Sequence, residues 1–451
     1  MSLDNLPVQW FETTLDQIAE WGSGGTPSRK NSSYYGGDVP WIKTGDLGEK
    51  YVTQATEFIT DEAVKNSSAK FFKKGSVIMA MYGATIGKTS ILGIDATTNQ
   101  ACAVGTPIAT STEFLYYFLR NEKDAFIAKG KGGAQPNISQ QIIKAHSTHL
   151  PPLAEQQEIV RQLDGMLAQV EQIKARLDAI PAILKKFRQS VLADAVSGRL
   201  LDDEVNSSIY TIKDIFEVTS GIAFKKSEYT EDGYKLLQIA NVSHGKTKWE
   251  TLNFISEQNA KQFDNCMLQN GDVVVALNRP ITHDLLKIAK ITEQDLPAIL
   301  YQRVACLRVK ENKVADSEFL FLSMQTTAFR KAIEAKLRGS DQPYLNTSDL
   351  GNLTINLIPL NEQKLTLKKI RILLSKSNQM EIIVQSAQKR VNLLTQSILA
   401  KAFSGELTAE WREQHQDLIT GVNSTKALLA KIQAEREASK PVKKTRKKKE
   451  A

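Results

Sequence analysis

A heptad pattern that occurs twice, 207 residues apart, constrains this chain more than any other feature. Residues spaced alternately by four and three are apolar at all ten positions of the first copy and at eight of ten in the second. Such spacing is typical of a helix that buries one narrow stripe against a partner helix. The predicted helix-pairing residues are Ile159, Leu163, Met166, Val170, Ile173, Leu177, Ile180, Leu184, Phe187 and Val191, with Ile370, Leu373, Met380, Val384, Val391, Leu394 and Ile398.

The flanks of the two heptad segments repeat at the same offset. Pro152–Gln156 matches Pro359–Gln363, and Ser197–Leu200 matches Ser404–Leu407. A constant offset means that no insertion separates the copies, so we expect two long helices of fixed length that pair antiparallel as a coiled coil. Pro181 lies inside the first helix, where proline removes one backbone donor. Because the heptad phase continues past it, we expect a kink or short break that keeps the helix direction.

The segments outside the helices also repeat. Gly75–Ile78 matches Gly271–Val274, and Gly132–Asn137 matches Gly339–Tyr344, although most of the sequence between these motifs differs. Short apolar runs between Gly, Pro, Asn and Ser predict mixed α/β domains. The fold class is therefore α+β with a pseudo-twofold internal repeat. The predicted segments are a first domain (1–150), a central long-helix spacer (151–203), a second domain (204–357), a distal long-helix spacer (358–407) and C-terminal helices with a disordered basic tail (408–451).

Composition excludes several classes of protein. No run of 18 apolar residues is present, which argues against a membrane span. The N-terminus does not look like a secretory signal, and the three cysteines lie far apart, so we expect a cytoplasmic protein without a disulfide framework. The net charge is +8, but Lys440–Ala451 alone carries seven Lys or Arg and one Glu. Most of the net positive charge therefore lies in the tail, and it is not evidence for a basic globular surface.

No catalytic motif is complete. Gly83–Thr89 resembles a phosphate-binding P-loop but is one residue short, with Tyr82 where the first glycine belongs. Neither an Asp/Asn-Pro-Pro-Tyr/Phe loop nor a Gly-x-Gly-x-x-Gly fingerprint occurs in the sequence. We therefore expect a chain that is not an enzyme and that holds no cofactor and no metal.

At several motifs the chain resembles the specificity (S) subunits of type I restriction–modification systems. These are Leu150–Gln157 with its echo Ile358–Gln363, Gln189–Leu200 with its echo ending at Ser404–Leu407, Gly83–Lys88, and Gln135–Ser139. The resemblance covers residues 1 to about 412. The second domain departs from the pattern, because Asn278-Arg279-Pro280 replaces the glycine motif.

The resemblance implies a non-catalytic DNA-recognition subunit. Each domain would be a target recognition domain that reads one half of a bipartite, asymmetric site in double-stranded DNA, and the paired helices would set the unread spacer. The helices would also dock two methyltransferase (M) subunits, which bind S-adenosylmethionine. Two restriction (R) subunits, which use ATP and Mg²⁺, would complete the complex.

Polar and cationic loop residues near the repeated motifs are the predicted DNA contacts. Arg, Lys, Asn and Gln can offer paired donors, or a donor with an acceptor, to base edges. The predicted DNA-binding residues are Arg29, Lys43, Thr44, Lys88, Lys131, Gln135 and Asn137 in the first domain, and Lys225, Asn241, Asn278, Arg279, Arg303, Arg338, Gln342 and Tyr344 in the second.

Two other functions stay open at this point. One is a coiled-coil adaptor or scaffold without a DNA role, which would have little need for two diverged domains. The other is a fused restriction–modification enzyme, against which the missing catalytic loop speaks. DNA methylation by the purified chain alone would favour the fused enzyme.

Overall fold

The computed structural model describes residues 6–130, 136–201, 205–310 and 314–438. The chain divides into two compact units. The first unit joins residues 1–176 to residues 387–451, and the second unit holds residues 177–386. Each unit therefore contains one globular domain and one part of each long helix.

The first domain consists of short strands followed by helices. Its strands are β1 (Phe11–Thr14), β2 (Ala19–Ser23), β3 (Tyr35–Ile42), β4 (Tyr51–Val52), β5 (Phe58–Ile59), β6 (Phe71–Phe72), β7 (Val77–Ala80), β8 (Thr89–Leu92), β9 (Ala96–Thr98), β10 (Cys102–Pro107) and β11 (Ser147–Leu150). Its helices are α1 (Leu15–Ile18), α2 (Asp61–Lys65), α3 (Thr112–Asn121), α4 (Lys123–Ala128) and α5 (Gln140–Lys144), and the first long helix is α6 (Leu153–Val196).

The second domain repeats this order. Its strands are β12 (Ser208–Thr211), β13 (Phe216–Ser220), β14 (Tyr229–Thr230), β15 (Tyr234–Leu237), β16 (Phe254–Ile255), β17 (Val273–Ala276), β18 (Ile281–Thr282), β19 (Leu285–Leu286), β20 (Ile288–Lys290), β21 (Ala298–Leu300), β22 (Val304–Val309) and β23 (Thr354–Leu357). Its helices are α7 (Ile212–Ile215), α8 (Glu257–Ala260), α9 (Ser317–Ser323), α10 (Thr327–Glu334) and α11 (Thr347–Gly351), followed by α12 (Leu360–Phe403), α13 (Ala409–Gln414) and α14 (Thr425–Ala438).

The sheets match one another between the domains. The order β2-β10-β7-β8 in the first domain corresponds to β13-β22-β17-β20 in the second, and β1-β11 corresponds to β12-β23. A parallel pair, β3 with β9 and β15 with β21, forms part of another sheet in each domain. The internal repeat predicted from the sequence is thus a repeat of strand order.

Alternation along the central strands divides each domain into two cores. In β7, Val77 and Met79 belong to the core beneath the helices, whereas Ile78 and Ala80 belong to a core on the other face. In β17, Val273 and Val275 separate from Val274 in the same way. Because successive side chains of a strand point to opposite faces, a strand that is apolar at every position must be covered on both sides.

Each long helix has 44 residues and is followed, two residues after its end, by a glycine with a left-handed backbone. Gly198 has φ +79° and Gly405 has φ +78°, a conformation that lets the last carbonyls of a helix find donors. The helix α6 continues through Pro181 without a break in its assignment. Within the described ranges, no helix combines the length and apolarity that crossing a lipid bilayer requires.

Within each unit, the two helical segments pack into one core. In the first unit, Ile159 and Leu163 near the start of α6 share a core with Leu399 and Ala402 near the end of α12. In the second unit, Arg188 Nε donates to Ser377 Oγ at 2.9 Å, and Lys369 Nζ donates to Leu200 O at 2.9 Å. From Arg188 in α6 to Leu200, just past the end of that helix, the partners in α12 run backwards from Ser377 to Lys369, so the helices are antiparallel here.

The predicted helix-pairing residues differ in exposure. Ile159, Leu163, Val170, Val191, Ile370 and Val384 are buried, and Leu177, Ile180, Leu184, Leu373, Val391 and Ile398 are half-buried. The more exposed ones are Met166, Ile173, Phe187, Met380 and Leu394, at 38–56%. A two-helix pair covers only a narrow stripe, and a straight helix drifts by about 20° per heptad from a 3.5-residue repeat. Leu167, one residue beyond Met166, is buried at 8%.

Candidate nucleic-acid interface

Backbone hydrogen bonds gather six of the predicted second-domain residues into one loop cluster. Asn278 and Tyr344 form an isolated bridge, and Arg338 and Tyr344 exchange two hydrogen bonds of 2.9 Å. Arg279 N donates to Pro343 O at 2.7 Å, next to Gln342, and Leu277 N donates to Arg303 O at 2.8 Å. We call Asn278, Arg279, Arg303, Arg338, Gln342 and Tyr344 the second loop cluster.

The first domain has the same backbone network at the equivalent positions. Tyr82 and Asn137 form the bridge, and Gly83 N donates to Pro136 O at 2.8 Å. Met81 N donates to Ala101 O at 2.9 Å, as Leu277 does to Arg303. The scaffold is therefore shared, while the side chains it carries are different. Of the residues predicted here, Lys131 and Gln135 lie outside the described residues, and Asn137 is exposed.

The second loop cluster holds arginines in a left-handed backbone conformation. Arg279 has φ +47° and Arg303 has φ +65°, whereas the first domain has Gly83, with φ +60°, in place of Arg279. The conformation costs roughly 1–2 kcal/mol for a residue with a Cβ. Such strain persists only where the surrounding structure holds it, and it concentrates at functional sites.

The side chains of this cluster are suited to contacts with the phosphates and the base edges of a nucleic acid. Arg279, Arg303 and Gln342 are exposed, and Tyr344 is 40% exposed. Arg338 also pairs with Asp349, with Nη2 to Oδ2 at 3.0 Å. Guanidinium forks donate two parallel hydrogen bonds to phosphates or guanine, and amides match adenine.

In the first domain, Arg29 and Lys43 share one carboxylate. Arg29 Nη2 lies 3.0 Å from Glu57 Oε2, and Lys43 Nζ lies 3.0 Å from the same oxygen. The guanidinium of Arg29 also lies over the rings of Tyr35, at 4.3 Å, and Trp41, at 5.3 Å. Hydrogen bonding from Arg29, supported by Lys43, lowers the pKa of Glu57 to about 2. This carboxylate stays ionised and neutralises part of the local charge. Thr44, which follows Lys43 in the sequence, is half-buried.

Lys88 lies on the edge of a polar groove in the first unit. The groove, of about 560 Å³, is lined by Arg120, Lys123 and Lys174 together with the acidic Asp124 and Glu171. Lys88 itself is half-buried. The cations are therefore balanced in part within the groove.

The prediction that Asn241 contacts DNA is wrong. Asn241 is only 1% exposed, and its amide nitrogen donates to Lys248 O at 3.0 Å and to Thr251 O at 2.9 Å. Its amide oxygen accepts from Gln238 N at 2.9 Å. The amide is thus fully engaged in holding its own turn. Lys225 is exposed, at the start of a short turn, and none of the contacts of the second loop cluster involves it.

Sequence reasoning missed the residues that attach the helices to the domains. Gln156 Oε1 accepts from Ser111 N at 3.0 Å, and Gln156 Nε2 donates to Pro151 O at 2.9 Å. In the second unit, Gln363 accepts from Asp316 N at 2.8 Å and donates to Ile358 O at 2.7 Å. Ser111 and Asp316 are the N-cap residues of α3 and α9. The signal for these contacts is the repeated Glu-Gln of the helix flanks, which in the sequence alone indicates only that the two copies are aligned.

Comparisons with known proteins agree with this architecture. The family model described as "Type I restriction modification DNA specificity domain" matches residues 7–182 and again residues 204–392. The specificity subunit of the type I restriction enzyme EcoKI from Escherichia coli K12 is 31% identical over 99% of this chain and 100% of its own length. The MjaVIII specificity subunit of Methanocaldococcus jannaschii is 28% identical over 86% of this chain and 92% of its own length.

Two solved structures share the fold. One, from a study of complex assembly and conformational transition of a type I restriction–modification system, has a TM-score of 0.69 and 17% identity, and covers 88% of this chain and 98% of that one. The other, the HsdS subunit from Thermoanaerobacter tengcongensis, has a TM-score of 0.58 and 17% identity, and covers 89% and 98%.

The repeated domains, the paired 44-residue helices and a family model that matches both halves of the chain lead to one conclusion. The chain belongs to the family of DNA specificity subunits of type I restriction–modification systems.

Proposed function

We propose that the two domains read the two halves of a bipartite, asymmetric DNA site. The observation that supports this most is the shared backbone network with different side chains, Tyr82 and Asn137 in one domain and Asn278 and Tyr344 in the other. The same scaffold would present each set of side chains to a groove, so the two domains would read different sequences. Phosphate contacts from the nearby cations would position the domains without selecting a sequence.

The long helices set the spacer between the half-sites in this proposal. A helix of 44 residues is about 66 Å long, at about 1.5 Å per residue. Removing one facing heptad from each helix would shorten the pair by about 10 Å, which is about three base pairs of duplex. The expected result is a shorter spacer, or a complex that no longer assembles, with both half-sites retained. Loss of one half-site's identity would contradict this role of the helices.

Exposed apolar residues on the long helices of each unit suit contacts with methyltransferase (M) subunits. Ile183, Ile372, Ile382 and Ile383 in the second unit are 56–66% exposed, and Leu393 in the first unit is 65% exposed. Large apolar residues that stay exposed on a paired helix favour a protein partner. Two methyltransferase and two restriction subunits would complete the assembly, and these partners would supply S-adenosylmethionine chemistry and ATP-driven cleavage.

Methylome sequencing tests the recognition role. A host carrying this chain with its cognate methyltransferase subunit is compared with a host carrying that subunit alone. The expected result is a new split adenine-methylation motif with a constant spacer. A stable complex that yields no new methylation would contradict the proposal and favour the adaptor.

A further inference from the structure

A short hairpin in the second domain lengthens a loop whose described equivalent in the first domain, residues 81–87, is shorter. Strands β18 and β19 pair Ile281 with Leu286 and Thr282 with Leu285, which leaves His283 and Asp284 as a two-residue turn. Both turn residues are left-handed, with φ +51° and +59°. Two left-handed residues are what the favoured two-residue hairpin turn requires, and His and Asp tolerate that conformation better than most side chains.

The repeat shows where the extra residues were added. Ala80 N donates to Lys88 O at 2.8 Å, and Ala276 N donates to Lys287 O at 3.1 Å, so the two loops start and end at equivalent bonds. The first loop holds the seven residues 81–87, and the second holds the ten residues 277–286. The difference therefore falls within the loop that also supplies Asn278 and Arg279 to the second loop cluster.

The base of the hairpin is fixed to the domain. Leu286 is 6% exposed and belongs to the second-unit core, against which Ile281 also packs. His244 Nε2 lies 2.9 Å from Thr282 Oγ1, and Lys287 N donates to Pro280 O at 2.7 Å. Burial, and then the positive charges of His283 and Lys287, lower the pKa of His244.

The tip of the hairpin, in contrast, is exposed. His283 and Asp284 are both exposed, and within residues 205–310 and 314–438 no hydrogen bond or ion pair holds their side chains. A hairpin with a fixed base and a free polar tip suits a DNA-reading element. The tip side chains can bind a base without first breaking contacts inside the protein.

The carboxylate at the tip restricts what it can meet on DNA. Phosphates repel Asp284, so the duplex offers it a favourable contact only at a base amino group, and in the major groove these donors are cytosine N4 and adenine N6. The cytosine N4 amino group is the donor that Asp and Glu accept from, while the Arg279 fork on the same loop matches guanine O6 and N7. Asp284 would therefore penalise every pair that presents an acceptor at its position.

We propose, on the basis of the recognition role above, that the 281–286 hairpin enters the major groove of the half-site read by the second domain, where Asp284 selects a C·G pair by accepting a hydrogen bond from cytosine N4. His283 contacts the adjacent base or phosphate, and Arg279 belongs to the same loop. The first domain lacks this element and reads its half-site with a shorter loop.

The test replaces the tip and keeps the hairpin. His283→Asn with Asp284→Gly installs the turn sequence that a two-residue hairpin prefers while removing the carboxylate. The matched control is Glu231→Asn with Asp232→Gly, at another exposed acidic turn of the same domain. Each variant is produced with the cognate methyltransferase subunit, and the methylome is sequenced beside that of the wild type.

The expected result is a motif that becomes permissive at one C·G pair of one half-site, with the other half and the spacer unchanged. The control variant should keep the wild-type motif. An unchanged motif in the hairpin variant would overturn this inference and leave the recognition role intact. A wild-type chain that directs no split motif would instead overturn the recognition role itself, and this inference with it.

If the hairpin variant assembles but methylates poorly, its DNA specificity is measured by binding instead. Purified complexes are competed with duplexes substituted at each position of the half-site. Replacing the selected C·G pair should weaken binding of the wild-type complex about ten-fold or more, and binding of the hairpin variant less than about two-fold. Equal losses in the two complexes would overturn the assignment of Asp284.

Discussion

The carboxylate of Glu155, at the start of the first long helix, is completely buried and accepts a hydrogen bond of 2.8 Å from Arg412 Nε. Trp10 Nε1 and Thr408 Oγ1 also donate to this carboxylate, at 2.9 Å and 2.7 Å. The contact joins residues 257 positions apart. This contact ties the C-terminal segment to the rest of the first unit, because the positive charge of Arg412 compensates the buried carboxylate of Glu155.

Removing Arg412 should therefore destabilise the first unit strongly. Arg412→Ala leaves a buried, unpaired carboxylate, and we expect a loss of about 3–5 kcal/mol in the free energy of unfolding. Chemical denaturation followed by tryptophan fluorescence measures it, since Trp10 is part of the cluster. The matched control is Arg161→Ala, whose side chain is 72% exposed beside Glu158 and whose loss should change the free energy of unfolding far less. Equal effects of the two changes would show that the Glu155 cluster is not a structural centre.

Arg188 fixes the alignment of the two helices in the second unit. It donates to Ser377 Oγ at 2.9 Å, to Asn378 Oδ1 at 3.0 Å and to Glu381 Oε2 at 2.6 Å, and Ser377 is a polar residue of the heptad seam that is only 2% exposed. In a cycle of Arg188→Ala, Ser377→Ala and the double change, we expect a coupling of about 0.5–1.5 kcal/mol in unfolding free energy. Additive effects, within about 0.3 kcal/mol, would mean that the contact does not stabilise the pair.

The two glutamines that join helix to domain should behave alike. Gln156→Ala and Gln363→Ala each leave an N-cap N–H and a loop carbonyl without the partners described above. We expect each to cost about 1–3 kcal/mol, in the unfolding of its own unit. Hydrogen exchange, read separately over α3 and α9, shows which unit is loosened. Gln162→Ala, on the same helix, is the comparison, because Gln162 only donates to the side chain of Glu158. A loss of protection in both units from one change would contradict their independence.

Glu57 ties the acid stability of the first domain to Arg29 and Lys43, two cations that we propose face DNA phosphates. Its pKa in the folded chain is about 2, below the ordinary value of 4.5, so the carboxylate contributes stability above about pH 4.5 that is lost as the pH falls toward 2. Glu57→Gln should flatten the acid limb of a stability curve measured by denaturation from pH 7 to pH 2. The same change frees Arg29 and Lys43, so the slope of log K against log salt should steepen by up to about 2. An unaltered salt slope would show that these cations do not face DNA phosphates.

The long helices were predictable because their pattern is local. The heptad series predicts a long helix within residues 151–203, and the structure places it at Leu153–Val196. The repeated domains were predictable because glycine and proline motifs recur where the backbone must turn.

The reading residues were less predictable, because they depend on how loops meet. Asn241 had the right chemistry for a base edge, but a turn encloses its amide. The Glu155–Arg412 contact joins segments that no spacing rule connects. The hairpin at His283 and Asp284 lies in a loop that departs from the glycine motif, so no sequence pattern predicts it. Its extra length becomes evident when the equivalent backbone hydrogen bonds to Lys88 O and Lys287 O are compared.

An exchange of one domain tests the central claim most directly. Residues 204–357 are replaced by the equivalent domain of the Escherichia coli K12 relative, the long helices are left unchanged, and the methylome is sequenced with the cognate methyltransferase subunit. The account predicts a split motif in which one half changes to a half-site of the donor, while the other half and the spacer length stay as they were. A motif that changes in both halves, or that changes in neither while the complex assembles, would contradict the claim that each domain reads its own half-site.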